Sequence, residues 1–422
     1  MQTNLAESFR HTAEGHEADE ILRACVHCGF CTATCPTYQL IGDELDGPRG
    51  RIYLMKMVFE GETPTRRTQQ HLDRCLTCRA CETTCPSGVR YGRLVDLGRA
   101  AVDARVQRPL AERIMRRTLR AIVPYPKRFA VLFGLGRIAP ARWSGGMCKT
   151  PRRLQVATSS AARSLDRKML ALAGCVQSVA TPATNAAAAR VLATLGIWLE
   201  TAKGAGCCGA ISHHLTAPNE ARAFMRRNID AWWPHIEAGA EALVMTASGC
   251  GAMVREYGHL LRDDTHYAAK AERISALTRD LAEVLANEDL RAFEGIGKGR
   301  RIAWHAPCTL QHGQRVVGVV ERILRTAGFE LVPVRDSHLC CGSAGTYSLL
   351  QTKLSERLLR NKLDALQAGH PSVIVTANVG CQMHLASGST IPIYHWIELL
   401  DQPELAGRRR AGLDPPLGSV GS

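Results

Sequence analysis

No apolar run in this sequence approaches the roughly 18 residues that a membrane-crossing helix needs; the nearest, Phe129 to Leu135, is far too short. Met1 to Glu20 is polar and partly acidic, without the apolar stretch of a secretory signal, so export is not expected. Acid is scarce in one segment. Between Arg99 and Lys168, 17 Lys and Arg face only Asp103, Glu112 and Asp166, a balance equal to the whole net charge of +14. The remainder of the chain is therefore neutral, and no nucleic-acid partner is expected from a basic character confined to one segment.

At 422 residues, 45% of them hydrophobic, the chain can build two or three domains with their own cores. Its 17 cysteines, with no leader in sight, point to metal ligation in a reducing compartment and not to disulfides. The expected location is cytoplasmic, with peripheral attachment to the inner face of the cell membrane left open.

Eight cysteines form two identical runs. Cys25-x-x-Cys28-x-x-Cys31-x-x-x-Cys35-Pro36 recurs as Cys75-x-x-Cys78-x-x-Cys81-x-x-x-Cys85-Pro86. This spacing holds two [4Fe–4S] clusters in bacterial ferredoxin modules, the fourth Cys of each run crossing to the other cluster. Cys25, Cys28, Cys31 and Cys85 are expected around one cluster, and Cys75, Cys78, Cys81 and Cys35 around the other. A long stretch, Thr37 to Arg74, separates the runs, with helices expected after Pro48 and around Thr68 to Asp73. Helix is also expected over most of residues 1–24 and through 91–123. Arg49 and Arg51 read either as partners for cluster charge or as a solvated turn.

The second half repeats itself. Cys175 and Cys308, Cys207-Cys208-Gly209 and Cys340-Cys341-Gly342, and Arg227-Asn228 and Arg360-Asn361 are each 133 positions apart, while Cys250 and Cys381 are 131 apart. Each unit reads as strand, Cys, helix, strand, Cys-Cys-Gly, helix, strand, Cys. The expected strands are 169–173, 196–202 and 242–246, then 301–305, 329–334 and 372–376. Apolar β-branched strands alternating with helices indicate parallel sheets, which collect ligand sites at their C-terminal ends. Four thiols per unit would converge there: Cys175, Cys207, Cys208 and Cys250, then Cys308, Cys340, Cys341 and Cys381.

The fold expected is thus α followed by α/β. A helical two-cluster module (1–123) leads through a basic linker (124–167) to two cysteine-rich domains (168–294 and 300–400), with Gly295 to Gly299 as the hinge and a disordered tail (407–422).

These units resemble the cysteine-rich domains of heterodisulfide reductases, some of which use a fifth Cys to hold non-cubane clusters. Here that position is Met253 or His384. Iron–sulfur, zinc and metal-free thiol chemistry stay open for both units. His305 and His338 sit near the cysteines, where they could hydrogen-bond a cluster or simply pack. His213-His214 has no counterpart in the second unit and reads as a surface pair, and Cys148 as a bystander. Gly204 to Gly209 matches a dinucleotide-binding pattern, but its repeat partner lacks the first two glycines and no acidic residue ends a strand beyond it. No flavin or NAD site of its own is expected. The basic helix through Arg113, Arg116, Arg117 and Arg120 could meet an anionic membrane surface or an acidic partner, or only solvent.

The paired runs, Arg49-Gly50-Arg51-Ile52-Tyr53, Asn228-Ile229-Asp230-Ala231-Trp232-Trp233-Pro234, Thr246 to Gly251 and Asp336 to Tyr347 together resemble the iron–sulfur subunits of bacterial glycolate oxidases. The resemblance implies an electron-transfer subunit of an oxidoreductase complex. Flavin-binding partner subunits would oxidise glycolate to glyoxylate, and the acceptor would be a membrane quinone or another carrier. No catalytic substrate residue is expected in this chain. Related D-lactate or glycerol-3-phosphate dehydrogenase subunits, and a heterodisulfide-reductase-like thiol enzyme, are the alternatives.

Overall fold

The computed structural model describes residues 1–138, 165 and 167–407. Cys148, most of the basic linker and the tail from 408 onward lie outside the described residues.

The described part of residues 1–138 is helical, without a strand. Three of its helices start where the sequence supplies a cap or a proline for the free N–H groups of the first turn. Thr12 accepts from Gly15 N at 3.0 Å to open Ala13–Ala24, Pro48 opens Pro48–Phe59, and Thr65 with Thr68 forms a capping box on Arg66–Asp73. Ile21, Leu22, Ile52, Met55, Phe59, Leu72, Leu94 and Val95 close into one buried core that the cysteine runs edge. The helix expected over 91–123 is two, Tyr91–Asp103 and Leu110–Ile122, because Pro109 cannot continue the first and instead starts the second. A further helix, Pro126–Ile138, occupies the start of the linker.

The second half holds two four-stranded parallel sheets of the same order. Strands β1 (Arg167–Ala171), β2 (Ile197–Glu200), β3 (Leu243–Met245) and β4 (Thr278–Asp280) lie as 2-1-3-4. Strands β5 (Arg301–His305), β6 (Glu330–Leu331), β7 (Val373–Thr376) and β8 (Ile393–His395) lie as 6-5-7-8. Six of these overlap the expected strands. The outer strands β4 and β8 were not legible. Each is three residues long, and Thr278-Arg279-Asp280 is too polar to read as buried sheet. Both run straight into a helix whose cap they supply: Asp280 accepts from Ala282 N at 3.0 Å, and the His395 side chain accepts from Ile397 N at 3.2 Å.

The two units are not beads on a hinge. The helix after β8, Trp396–Asp401, packs on Ala183–Thr194 of the first unit, and the helix after β4, Leu281–Leu285, packs on Val319–Thr326 of the second. A single apolar core runs through both sheets, from Leu192 and Val244 to Val375 and Trp396. At the seam, Thr184 Oγ1 donates to Glu398 at 2.7 Å, and Arg190 pairs with Asp401 at 2.6 Å. The Gly295 to Gly299 stretch is accordingly a turn pinned to the second unit, with Gly297 N donating to Ala327 O at 2.8 Å.

Candidate metal centres

Two short loops carry the paired runs. In each, Cys-x-x-Cys-x-x-Cys winds tightly enough to force His27, Thr77 and Arg79 into positive φ, then ends in a single turn of helix. A pocket between the loops is lined by Cys25, Cys28 and Cys31 of the first run together with Cys81 and Cys85 of the second, with Arg49 at its edge. Cys35 lies on the other side, close enough to Cys78 and Cys81 for their charges to interact. Cys85 thus faces the first run, and Cys35 lies near thiols of both runs.

The surroundings of the two sets differ. The first loop is at the surface, where Cys28 is exposed and Val26 and Phe30 are 66% and 62% exposed. The second is enclosed. Tyr91 Oη donates to Cys75 Sγ at 3.7 Å, Thr37 Oγ1 lies 3.3 Å from Cys35 Sγ, and Arg51, 1% exposed, donates to that Thr37 hydroxyl at 3.1 Å. Of the two arginines left open by the sequence, Arg51 is thus a buried cation beside the second set, held also by Asp46 at 3.3 Å. Arg49 pairs with Glu44 at 2.7 Å near the surface.

In each cysteine-rich unit the four thiols meet beyond the C-terminal ends of the strands, at the point where strand order reverses. Cys175, Cys207, Cys208 and Cys250 form a chain of thiol contacts, and Cys308, Cys340, Cys341 and Cys381 form another. The glycine after each pair makes this possible. Gly209 and Gly342 have φ of 91° and 90°, and their N–H groups donate to Cys207 and Cys340 Sγ, both at 3.4 Å. That left-handed turn splays two neighbouring cysteines so that both reach one space.

Hydrogen bonds from Cys175, Cys208 and the Gly209 N–H hold the Cys207 thiol well below its usual range. The same Cys175 contact, with burial, pushes Cys175 up. In the first unit the bare protein thus favours a thiolate at Cys207, whereas thiol contacts and burial push Cys308, Cys340 and Cys341 of the second unit all up. Four buried thiolates need a compensating cation, so the donor set fits an iron–sulfur group or a metal ion. The sixteen cysteines among the described residues are all free.

The second unit's thiols lie against the second run. Leu76, Cys308, Cys340, Tyr347 and Leu358 are buried together with Cys78 beside them, and Tyr347 Oη donates to Arg74 O at 3.1 Å. Thr83 Oγ1 also meets His312 at 3.0 Å. The first unit's thiols pack with Phe224, whose ring lies 5.7 Å from that of Tyr125 at the start of the basic linker.

Several sequence readings change here. His213 and His214 are not a free surface pair: both turn on Asp96 of the helical module, at 3.2 and 3.6 Å, sealing it against the first unit. His384 does not face the thiols with a free nitrogen, because its Nε2 meets Ser355 Oγ at 3.1 Å. Arg227-Asn228 and Arg360-Asn361 match by offset only. Asn228 is fully buried and donates to Cys207 O at 2.9 Å, while Asn361 is exposed. The cation buried at the second site is Lys362 instead, its Nζ donating to Asp336 O at 2.7 Å. Nothing in the apolar-periodic pattern of that helix marked it.

Comparison with known proteins agrees with this geometry. Residues 21–89 match the 4Fe-4S dicluster domain family, and residues 169–255 and 302–386 each match the family described as cysteine-rich domain. The chain is 55% identical over 403 residues to the glycolate oxidase iron-sulfur subunit of Escherichia coli (strain K12), covering 95% of this chain and 99% of that one. It is 30% identical over 395 residues to a probable glycolate oxidase iron-sulfur subunit of Bacillus subtilis (strain 168), covering 86% and 88%. Lactate utilization protein A of Geobacillus kaustophilus is 28% identical over 226 residues, about half of this chain and 90% of its own length.

Proposed function

The chain belongs to the family of glycolate oxidase iron–sulfur subunits, electron-transfer components of an oxidoreductase, and on that premise we propose which residues hold its clusters and where electrons enter and leave. Cys25, Cys28, Cys31 and Cys85 hold one [4Fe–4S] cluster, and Cys75, Cys78, Cys81 and Cys35 the other. The thiols of the two cysteine-rich units hold further iron–sulfur groups. What supports this reading is the pocket that brings Cys25, Cys28 and Cys31 together with Cys81 and Cys85, and the burial of Cys78 with the thiols of the second unit.

When bound, the clusters supply one-electron chemistry, which lets a flavin's pair of electrons leave singly. The chain's own residues set the route. Val26 and Phe30 flank Cys28 at the surface and form the face for the flavin-bearing subunit that oxidises glycolate. Leu76, Tyr347 and Leu358 keep water from the gap between the second run and the second unit. Arg51 offsets negative charge beside Cys35 and Cys75.

No helix among the described residues is long and apolar enough to cross a membrane. The consecutive helices Leu110–Ile122 and Pro126–Ile138 instead expose Leu110, Ile114, Met115, Val131, Leu132 and Leu135 along with Arg113, Arg117, Lys127 and Arg128. An apolar and cationic face of this kind suits an anionic membrane surface, where a quinone would be the acceptor.

The test is EPR with iron counting on the anaerobically prepared complex. Glycolate is expected to reduce the clusters of this chain, and clusters left oxidised during turnover would overturn the electron-transfer role. About 8 irons per chain means loaded runs alone, and about 12–16 means loaded cysteine-rich units as well. Cys85→Ser should remove the same signal as Cys28→Ser, and Cys35→Ser the same as Cys78→Ser. The opposite grouping would rule out crossed ligation.

A further inference from the structure

The two thiol sites differ by one imidazole. His305 is the last residue of β5, in register with Thr376 of β7, and is 1% exposed. Its Nδ1 lies 3.0 Å from Thr376 Oγ1. Its Nε2 is buried without any hydrogen-bond partner. One ring nitrogen of His305 and the Sγ atoms of Cys341 and Cys381 all lie within 4.8 Å of one another. Nδ1 is engaged by Thr376, which leaves Nε2 as the ring nitrogen free to bind a metal.

A buried ring nitrogen without a partner is uncommon, since such groups are almost always satisfied. With the Thr376 hydroxyl accepting from Nδ1–H, Nε2 carries an unshared lone pair on a ring that lies beside two sulfur atoms. A cation bound between that lone pair and the deprotonated sulfurs would satisfy both. A metal-bound histidine has this arrangement, one nitrogen on the metal and the other fixed by an outer hydrogen bond. The first unit cannot do the same. The residue 133 positions before His305 is Leu172, buried and apolar.

We propose that His305 Nε2 is a fifth ligand of the metal centre in the second cysteine-rich unit, beside Cys308, Cys340, Cys341 and Cys381, so that the two units hold chemically different centres. The proposal rests on the reading that the second unit binds a metal group. A neutral nitrogen in a thiolate shell leaves the centre less negative, and in an iron–sulfur group it raises the reduction potential. The shared chemistry is an imidazole donor to thiolate-bound iron or zinc.

The experiment uses the anaerobically prepared full-length holoprotein with its histidines labelled with 15N. For iron, pulsed EPR should show a directly coupled histidine nitrogen whose signal changes with the label. It should vanish in His305→Leu and persist in His384→Leu. For zinc, X-ray absorption at the zinc edge should count one nitrogen neighbour, lost in the same variant. Metal affinity of the second site should fall about 10- to 100-fold in His305→Leu, and His305→Cys should restore the metal without the nitrogen signal. A packing role would not be rescued by a thiol. If His305→Leu fails to fold, the labelled wild-type spectrum decides alone. Metal in the second unit with no nitrogen coupling overturns this proposal only. Metal confined to the two N-terminal clusters overturns it together with the metal reading of the unit.

Discussion

The two cysteine-rich units share strand order, the position of four thiols and a left-handed glycine at nearly the same φ, yet they sit in unlike surroundings. The second unit's thiols press on the second cysteine run, with Lys362 and His305 buried beside them. The first unit's thiols have a leucine in place of that histidine and pack with Phe224, which meets Tyr125 at the start of the basic linker. Duplication kept the backbone that gathers thiols. What each site can do is decided by the side chains and neighbours around that backbone.

The glycines give the sharpest way to break the likeness. A Cβ on Gly342 would stand 2.7 Å from Ser355 O, whereas one on Gly209 would stand 3.1 Å from Ala221 O. Both also require positive φ, which costs about 1–3 kcal/mol for a residue with a side chain. Gly342→Ala should therefore lose about 3 kcal/mol or more and Gly209→Ala less, read from denaturant unfolding of the apo chain. Equal losses would mean that the two turns are under the same constraint.

A second difference is electrostatic and lies in the seam between units. Burial raises Glu398 to about 7, against 4.5 when free, despite the hydrogen bond from Thr184. The folded chain thus keeps a proton that the unfolded chain releases above pH 4.5. Folding stability falls as pH rises from about 4.5 to about 7, and the full penalty applies above that. Glu398→Gln should raise stability by about 1–3 kcal/mol at pH 8 and leave it unchanged near pH 4. A gain of the same size at both pH values would show that ionisation is not the cause.

The smallest effect separates the first unit's neighbourhood from the second's. Arg113→Gln with Arg117→Gln should weaken binding of the complex to vesicles rich in anionic lipid by about 1 kcal/mol for each charge removed, and more at low salt. Arg322→Gln on the second unit, with its counterpart Arg325→Gln, serves as control and should leave binding unchanged. Equal weakening by both pairs would remove helix Leu110–Ile122 as part of the membrane face.

Some of this could be read from residue order, and the reasons are local. The Cys-x-x-Cys-x-x-Cys runs specify their own loops, because three thiols at that spacing can point inward only from one tight turn. The 133-residue offset exposed the repeat because each strand and each Cys-Cys-Gly turn is a short-range pattern. The outer strands escaped notice because three polar residues such as Thr278 to Asp280 carry no period. His213 and His214 were misread because their partner, Asp96, is over a hundred positions away and on another domain.

By itself, then, the sequence determined the eight-cysteine module, the doubled thiol unit and the absence of any long apolar span. All three follow from spacing and composition within a few dozen residues. Only the tertiary structure decided that the thiols of the second unit, and not those of the first, are buried against Cys78 of the second run. It alone decided that His305, beside Cys341 and Cys381, keeps a ring nitrogen without a partner, while His384 Nε2 meets Ser355. Those facts depend on how helices and sheets pack over long separations in the chain, where burial and shape complementarity select among contacts that residue order leaves equally open.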